Sequence, residues 1–216
     1  MKGMLLKDLL VLRKVARFYI LFLCFYGVLC LIGAFDISFI ITFSQLMLMM
    51  LPLSACALDE QSKWDRYAIS LPLGRRGIVG GRYLFVLVLA LFALVFSLAA
   101  SALMVALGKA DLTTCLLTTL VSTAVGLLII SILLPLCYKL GSERARPYLF
   151  AIVGVPFVAF FLLAKAGLLD GLDLSFLDRL QPPALVGAFS LLPLAALAAL
   201  GVSYAVSCRI MEHKEF

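Results

Sequence analysis

Apolar stretches long enough to span a membrane alternate with short charged segments along the chain. Six stretches carry no Asp, Glu, Lys or Arg. A helix needs about 17–25 residues to cross a bilayer, and each of these stretches is long enough. A charged side chain at the bilayer centre costs about 3 kcal/mol, so charges mark where a span ends. The pattern predicts an all-α polytopic membrane protein in which residues 18–208 form six transmembrane helices. The predicted spans are about 18–35, 38–58, 83–107, 113–138, 148–164 and 184–208.

The residues before the first span have the pattern of an amphipathic helix. Within 1–17, apolar residues and five Lys or Arg residues fall on opposite sides of a helix, although Asp8 interrupts the apolar side. This predicts a helix that lies in the membrane interface. The alternative is a basic leader that only orients the chain. No cleavage site of small residues follows, so we expect the segment to stay attached.

The distribution of Lys and Arg predicts the orientation. The segments 1–17, 59–82, 139–146 and 209–216 hold 15 of the 18 Lys and Arg residues, and they alternate with the other loops along the chain. Short loops rich in these residues stay in the cytoplasm. We therefore expect both termini in the cytoplasm, with 209–216 as a tail, and residues 165–183 as a longer loop outside the plasma (inner) membrane.

Composition agrees with a membrane protein and excludes several functions. The 216 residues are 64% hydrophobic and 14% charged, whereas soluble domains are about half apolar and a quarter charged. The net charge of +6 is spread thinly over segment ends, which excludes nucleic acid as a partner. There is no Walker A sequence, the one histidine is His213, and six cysteines lack the spacing of metal ligands. The sequence predicts no cofactor, metal or catalytic residue in this chain.

Uncharged polar residues are the only candidates for a substrate pathway inside the predicted spans. The spans lack ionisable Asp, Glu, Lys, Arg and His residues, which disfavours a carrier driven by protons or sodium. Ser44 and Gln45 lie in the second span, and Thr114, Thr118 and Ser122 share one face of the fourth. These side chains either line a pathway or let helices pack closely and hydrogen-bond to each other.

The loop between the second and third spans, residues 59–82, has a helical pattern. Trp64, Tyr67 and Leu71 recur at the spacing of one helix face, and Asp59 and Glu60 at the start suit the helix dipole. Leu71-Pro72 ends this pattern, and the residues from Arg75 to Arg82 begin the third span with basic side chains at headgroup level. The sequence predicts a short helix under the membrane.

This loop resembles the corresponding segment of ABC-2 type permeases, the membrane subunits of ATP-driven exporters. More narrowly, it is similar to the small six-span branch that includes permeases of phenol-soluble-modulin exporters. That segment has acidic residues, Lys and Trp, an aromatic or apolar residue, Leu-Pro, basic residues, Ile-Val, and a basic residue with Tyr. The matching residues are Asp59, Glu60, Lys63, Trp64, Tyr67, Leu71, Pro72, Arg75, Arg76, Ile78, Val79, Arg82 and Tyr83.

The resemblance implies an exporter permease for a peptide, a lipid or a hydrophobic small molecule. Residues 59–82 would hold a coupling helix that docks on a separate ABC ATPase subunit, and ATP and Mg²⁺ would bind that subunit. A second permease, identical or homologous, would complete the pathway. Residues 165–183 would form a re-entrant helix pair or else an ordinary acidic loop. The residues expected to contact the ATPase are Asp59, Glu60, Lys63, Trp64, Tyr67, Leu71, Pro72, Arg75 and Arg76.

Three other functions are compatible with about six spans. A substrate-capture subunit of an energy-coupling importer would not need the Lys-Trp and Leu-Pro pattern of the 59–82 loop. For a non-transporting immunity or assembly protein, that loop would be only a membrane anchor. An intramembrane enzyme would need acidic or histidine residues within its spans, and these spans lack them.

Overall fold

A computed structural model describes residues 2–33, 35–64, 67, 74–165 and 182–213. The part of the chain it describes is all-helical and contains no strand. Its helices are α1 (Lys2–Val11), α2 (Arg13–Ile32), α3 (Ile37–Gln61), α4 (Gly74–Ala106), α5 (Leu112–Leu140), α6 (Ser142–Lys165) and α7 (Pro182–His213).

Four helices are long and apolar enough to cross a membrane. These are α3, α4, α5 and, within α7, the stretch Leu185–His213. The apolar parts of α2 and α6 are shorter, Arg17–Cys30 and Phe150–Leu163. The structure therefore agrees with a multi-pass membrane protein, and the six-span topology stays a prediction.

Helix α5 is the centre of the bundle, because it contacts α3, α4, α6 and α7. Its buried side chains belong to a core that also includes Val79 and Val86 of α4 and Leu200 and Met211 of α7. Helix α7 packs along α5 but leaves most of its other surface uncovered. The described bundle thus has one well-covered helix surrounded by helices with outward apolar faces, as lipid or a further subunit requires.

Hydroxyl groups connect three of these helices inside the bundle. The Tyr83 hydroxyl of α4 lies 2.6 Å from Ser203 Oγ and 2.8 Å from Ser207 Oγ of α7. Ser203 also donates to the main-chain carbonyl of Ser131 in α5. These bonds satisfy polar groups that have no water to bind in an apolar interior, and they fix α7 against α4 and α5.

The helices at the predicted cytoplasmic side differ from the sequence-based boundaries. Helix α3 continues through Asp59 and Glu60, so these acidic residues end a long helix instead of starting a short one. Helix α4 already begins at Gly74. The break between α1 and α2 falls at Leu12, within the single helix predicted for 1–17. Leu71, Pro72 and most of the 165–183 loop lie outside the described residues.

Candidate functional site: a buried charge network

Four charged side chains meet at the junction of α1, α3 and α4. Lys7 and Asp8 come from α1, Asp59 from the last turns of α3, and Arg82 from the third turn of α4. We call these four residues the charge network. Arg82 is 8% exposed and Asp8 4% exposed. Such burial is unusual for charged residues unless they are paired.

The pairing within the charge network is reciprocal. Arg82 Nη1 lies 3.2 Å from Asp8 Oδ2, and Arg82 Nη2 contacts Asp59 Oδ2. Lys7 Nζ lies 2.6 Å from Asp59 Oδ1 and 3.2 Å from Asp8 Oδ1. Two cations therefore face two anions with no net charge. A buried charge is costly without its counter-charge, so this arrangement holds α1 against Asp59 and Arg82, the first and last residues of the 59–82 loop.

Trp64 extends the charge network into that loop. Lys7 Nζ lies 4.4 Å from the centre of the Trp64 ring, a cation–π contact. The ring is half-buried and packs against the core around α5, and its indole nitrogen is buried without a hydrogen-bond partner. Trp64 therefore faces the bundle. The centre of the Trp64 ring lies 5.4 Å from that of Tyr67, which is 61% exposed.

Glu60 connects the same end of α3 to the start of α6. Its carboxylate accepts hydrogen bonds from the Ser142 main-chain nitrogen at 2.6 Å and from the Ser142 hydroxyl. The preceding residue, Gly141, has φ 85° and ψ 160°, a conformation that is available almost only to glycine. A Cβ at Gly141 would collide with the Glu60 carboxylate. The chain thus turns between α5 and α6 directly around Glu60.

The beginning of α4 also binds the end of α7. Arg76 Nε lies 2.7 Å from Glu212 Oε1, and Arg75 donates to the carbonyls of Met211 and Glu212. Carbonyls at a helix C-terminus have no partner within the helix, so a guanidinium there is favourable. Both ends of the 59–82 loop are therefore attached to neighbouring helices by charged side chains.

The structure divides the residues predicted to contact an ATPase into two groups. Asp59, Glu60, Trp64 and Arg75 hold the loop to the rest of the chain, and Arg76 pairs with Glu212 at the surface. Lys63 and Tyr67 are exposed to the outside of the bundle. Leu71 and Pro72 are not among the described residues. Five further residues complete this site and were not among the predicted site residues: Lys7, Asp8, Arg82, Ser142 and Glu212.

The polar residues of the predicted pathway also fall into two groups, those in buried contacts between helices and those that line a groove. Gln45 Nε2 lies 3.1 Å from Thr123 Oγ1 and 3.5 Å from Ser97 Oγ, and Ser44 Oγ lies 3.4 Å from Ser97 Oγ. These bonds join α3 to α4 and α5 in the buried interior. The Gln45 side chain therefore holds α3 against α4 and α5.

A groove of about 370 Å³ lies beside this contact, between α3 and α5. Gln45, Thr118 and Ser122 line it together with Thr42 and several apolar side chains. The hydroxyls of Thr118 and Ser122 donate to main-chain carbonyls one turn earlier in α5. Ser44 is fully buried away from the groove, and Thr114 is not part of its lining. Three of the five predicted pathway residues therefore line one groove.

Replacing Gln45 with Leu should lower stability only slightly. Hydrogen bonds between membrane helices contribute about 0.6 kcal/mol on average and less than about 2 kcal/mol at most, and Leu fills a similar volume. The measurement is the thermal unfolding midpoint of the detergent-purified chain. Thr42→Val, which changes a groove residue outside the Gln45 hydrogen bonds, is the control and should leave the midpoint unchanged. A collapse of the fold in Gln45→Leu would contradict the packing described here.

A comparison with known protein families identifies the kind of molecule to which this arrangement belongs. The family model described as ABC-2 family transporter protein matches residues 3–212. The chain belongs to the ABC-2 transporter family. No curated protein matches the chain. The family match runs from α1 to the end of α7 and thus includes the whole charge network.

Membership of the ABC-2 family fixes the broad role of the chain. Members are membrane permeases that are not themselves ATPases, and they associate with an ABC ATPase subunit. The resemblance inferred from residues 59–83 is thereby confirmed at the level of the family. The ABC-2 assignment favours a transporter over a capture subunit, an assembly protein or an intramembrane enzyme.

Proposed function

We propose that this ABC-2 protein is the permease subunit of an exporter, similar to the branch that includes phenol-soluble-modulin exporters. Residues 59–82 dock on the partner ATPase, which binds ATP and Mg²⁺. A second permease, identical or homologous, completes the translocation pathway in the plasma membrane. The substrate is a peptide, a lipid or a hydrophobic small molecule.

The observation that carries this proposal is the attachment of the 59–82 loop to several helices. The charge network joins the loop to α1, Glu60 joins it to α6, and Arg75 and Arg76 join it to α7. A displacement of the loop by an ATPase would therefore move these helices together. Transmission of a movement from the ATPase to the spans needs continuous contacts between packed helices, and these helices must be able to adopt more than one arrangement.

The same contacts support the proposed topology of six spans with cytoplasmic termini. The segments predicted to be cytoplasmic from their Lys and Arg content are 1–17, 59–82, 139–146 and 209–216. Residues of all four take part in the contacts at this end of the bundle, from Lys7 to Ser142 and Glu212. If α2 and α6 also cross the bilayer, the crossing number places these segments on one side.

The groove between α3 and α5 is the proposed wall of the pathway. Its lining combines the polar groups of Gln45, Thr118 and Ser122 with apolar side chains. An amphipathic or largely apolar substrate fits this mixture better than an ion, because an ion needs charged or several converging polar ligands. Ser44 and Thr114, also predicted for the pathway, contribute at most by positioning these neighbours.

Transport into inverted membrane vesicles tests the direction and the substrate class. Vesicles from cells that make the chain with its ATPase are given ATP and a fluorescent amphipathic peptide, lipid or apolar dye. An exporter accumulates at least one of them inside, and an ATPase with a disabled Walker A lysine abolishes accumulation. ATP-driven loss from preloaded vesicles would contradict export and indicate import.

A further inference from the structure

Two cysteines from different helices meet beside the charge network. Cys56 lies in α3, one turn before Asp59 and Glu60, and Cys137 lies in the last turn of α5. Cys56 packs against the small core cluster that contains Cys137. Both cysteines line a cavity of about 60 Å³ whose wall also includes Lys7, Asp59 and Arg82.

The environment of this pair differs from that of an ordinary buried cysteine. Cys56 is half-buried and Cys137 is 8% exposed, yet the cavity between them has charged and hydroxyl groups in its wall. A polar cavity of this size is large enough to hold water or a molecule as small as hydrogen peroxide. Both thiols belong to the end of the bundle proposed to face the cytoplasm. Structural disulfides are rare in that compartment, and the disulfides that do form there are usually transient and redox-sensing.

We propose that Cys56 and Cys137 form a reversible disulfide that locks α3 to α5 when the cell meets a peroxide. A disulfide joins Cα atoms about 4.4–6.8 Å apart, so it needs two helices that pack closely, as α3 and α5 do around this cavity. The cytosol keeps thiols reduced through glutathione and thioredoxin, so the bond forms only when an oxidant is present.

The chemistry balances with hydrogen peroxide as the oxidant. The Cys56 thiolate attacks one peroxide oxygen, the O–O bond breaks, and the departing hydroxide takes up the thiol proton to give water. Cys56 is then a sulfenic acid. The Cys137 sulfur attacks the Cys56 sulfur and expels its hydroxyl, which leaves as a second water with the Cys137 proton. The two thiols lose two electrons, the peroxide gains them, and a dithiol reductant reverses the bond.

The expected consequence rests on the proposed function. Helix α3 carries the 59–82 loop, and Cys56 lies just before the residues that hold that loop to α1 and α6. A covalent bond to α5 at this position prevents α3 from moving relative to the central helix. We therefore expect the oxidised permease to keep its ATPase but to stop transporting.

Mass spectrometry of the oxidised protein tests the disulfide itself. Membranes containing the full chain with its ATPase are treated with hydrogen peroxide, blocked with N-ethylmaleimide and digested. We expect a crosslinked peptide that joins residues 56 and 137, which dithiothreitol separates and which Cys56→Ser and Cys137→Ser each abolish. Cys24→Ser, which removes an exposed thiol of α2, is the matched control and keeps the crosslink. Oxidation to sulfinic or sulfonic acids without this crosslink would overturn the proposal.

Vesicle transport by the same preparations tests the lock. Peroxide should reduce ATP-driven transport to the level without ATP, dithiothreitol should restore it, and Cys137→Ser should resist the treatment. Unchanged transport in crosslinked protein would overturn the lock. If the reduced protein shows no ATP-driven transport, the proposed function fails, whereas the crosslink result still decides whether the thiol pair is modified.

Discussion

Replacing Arg82 with Met is expected to destabilise the protein by about 3–5 kcal/mol, the cost of removing one partner from a buried ion pair. Met keeps much of the length and apolar volume of the side chain but leaves Asp8 and Asp59 to share Lys7 alone. One negative charge then stays buried without compensation. The expected result is a large fall in the thermal unfolding midpoint of the detergent-purified chain and a lower yield of folded protein.

Two further variants separate the loss of pairing from a general effect of losing an arginine. Arg76→Met removes a guanidinium of the same helix that is 77% exposed, and it should leave the midpoint nearly unchanged. Adding Asp8→Asn to Arg82→Met restores charge balance, because Lys7 and Asp59 still pair, and should recover part of the loss. Equal midpoints for Arg82→Met and Arg76→Met would contradict the buried network.

The second large effect is expected for Tyr67→Asp, which should remove the ATPase from the permease. Tyr67 is 61% exposed, and its ring contacts that of Trp64, whose position is fixed by the core and by Lys7. Buried aromatic anchors at protein interfaces commonly contribute about 2 kcal/mol or more, which corresponds to about a 30-fold change in affinity. A carboxylate at this position also cannot be buried in an interface without a large desolvation cost.

The matched control for Tyr67→Asp is Tyr148→Asp. Tyr148 is 48% exposed and lies in α6, outside the 59–82 loop. This substitution introduces the same charge at another exposed tyrosine and should retain the ATPase. The measurement is the amount of ATPase that co-purifies per permease, with folding checked by gel-filtration profile. Equal loss in both variants would show a nonspecific effect of the added charge.

Much of this architecture follows from the sequence because the membrane imposes simple rules. Four of the uncharged stretches of the sequence correspond to α3, α4, α5 and α7, the four helices that are long and apolar enough to cross a membrane. The 59–82 pattern led to the correct family. Helix boundaries at the end of the bundle predicted to face the cytoplasm were less predictable. Asp59 and Arg82 neutralise each other there, which allows α3 and α4 to extend with buried charges.

Contacts between distant residues were beyond the reach of sequence reasoning. Asp8 on the apolar side of an amphipathic helix was the one visible signal, and its partner Arg82 explains it, but no spacing rule connects positions 74 residues apart. Trp64 shows the same limit. Its helical spacing with Tyr67 was visible, whereas the inward direction of its ring depends on Lys7 and the core around α5.

The central claim is that residues 59–82 of this ABC-2 permease bind a separate ATPase, and co-purification from native membranes in mild detergent tests it most directly. We predict that the wild-type chain retains an ABC ATPase, that Tyr67→Asp loses it while remaining folded, and that Tyr148→Asp retains it. If no ATPase accompanies the intact wild-type chain, or if Tyr67→Asp retains as much ATPase as wild type, the proposed coupling role of the loop is wrong.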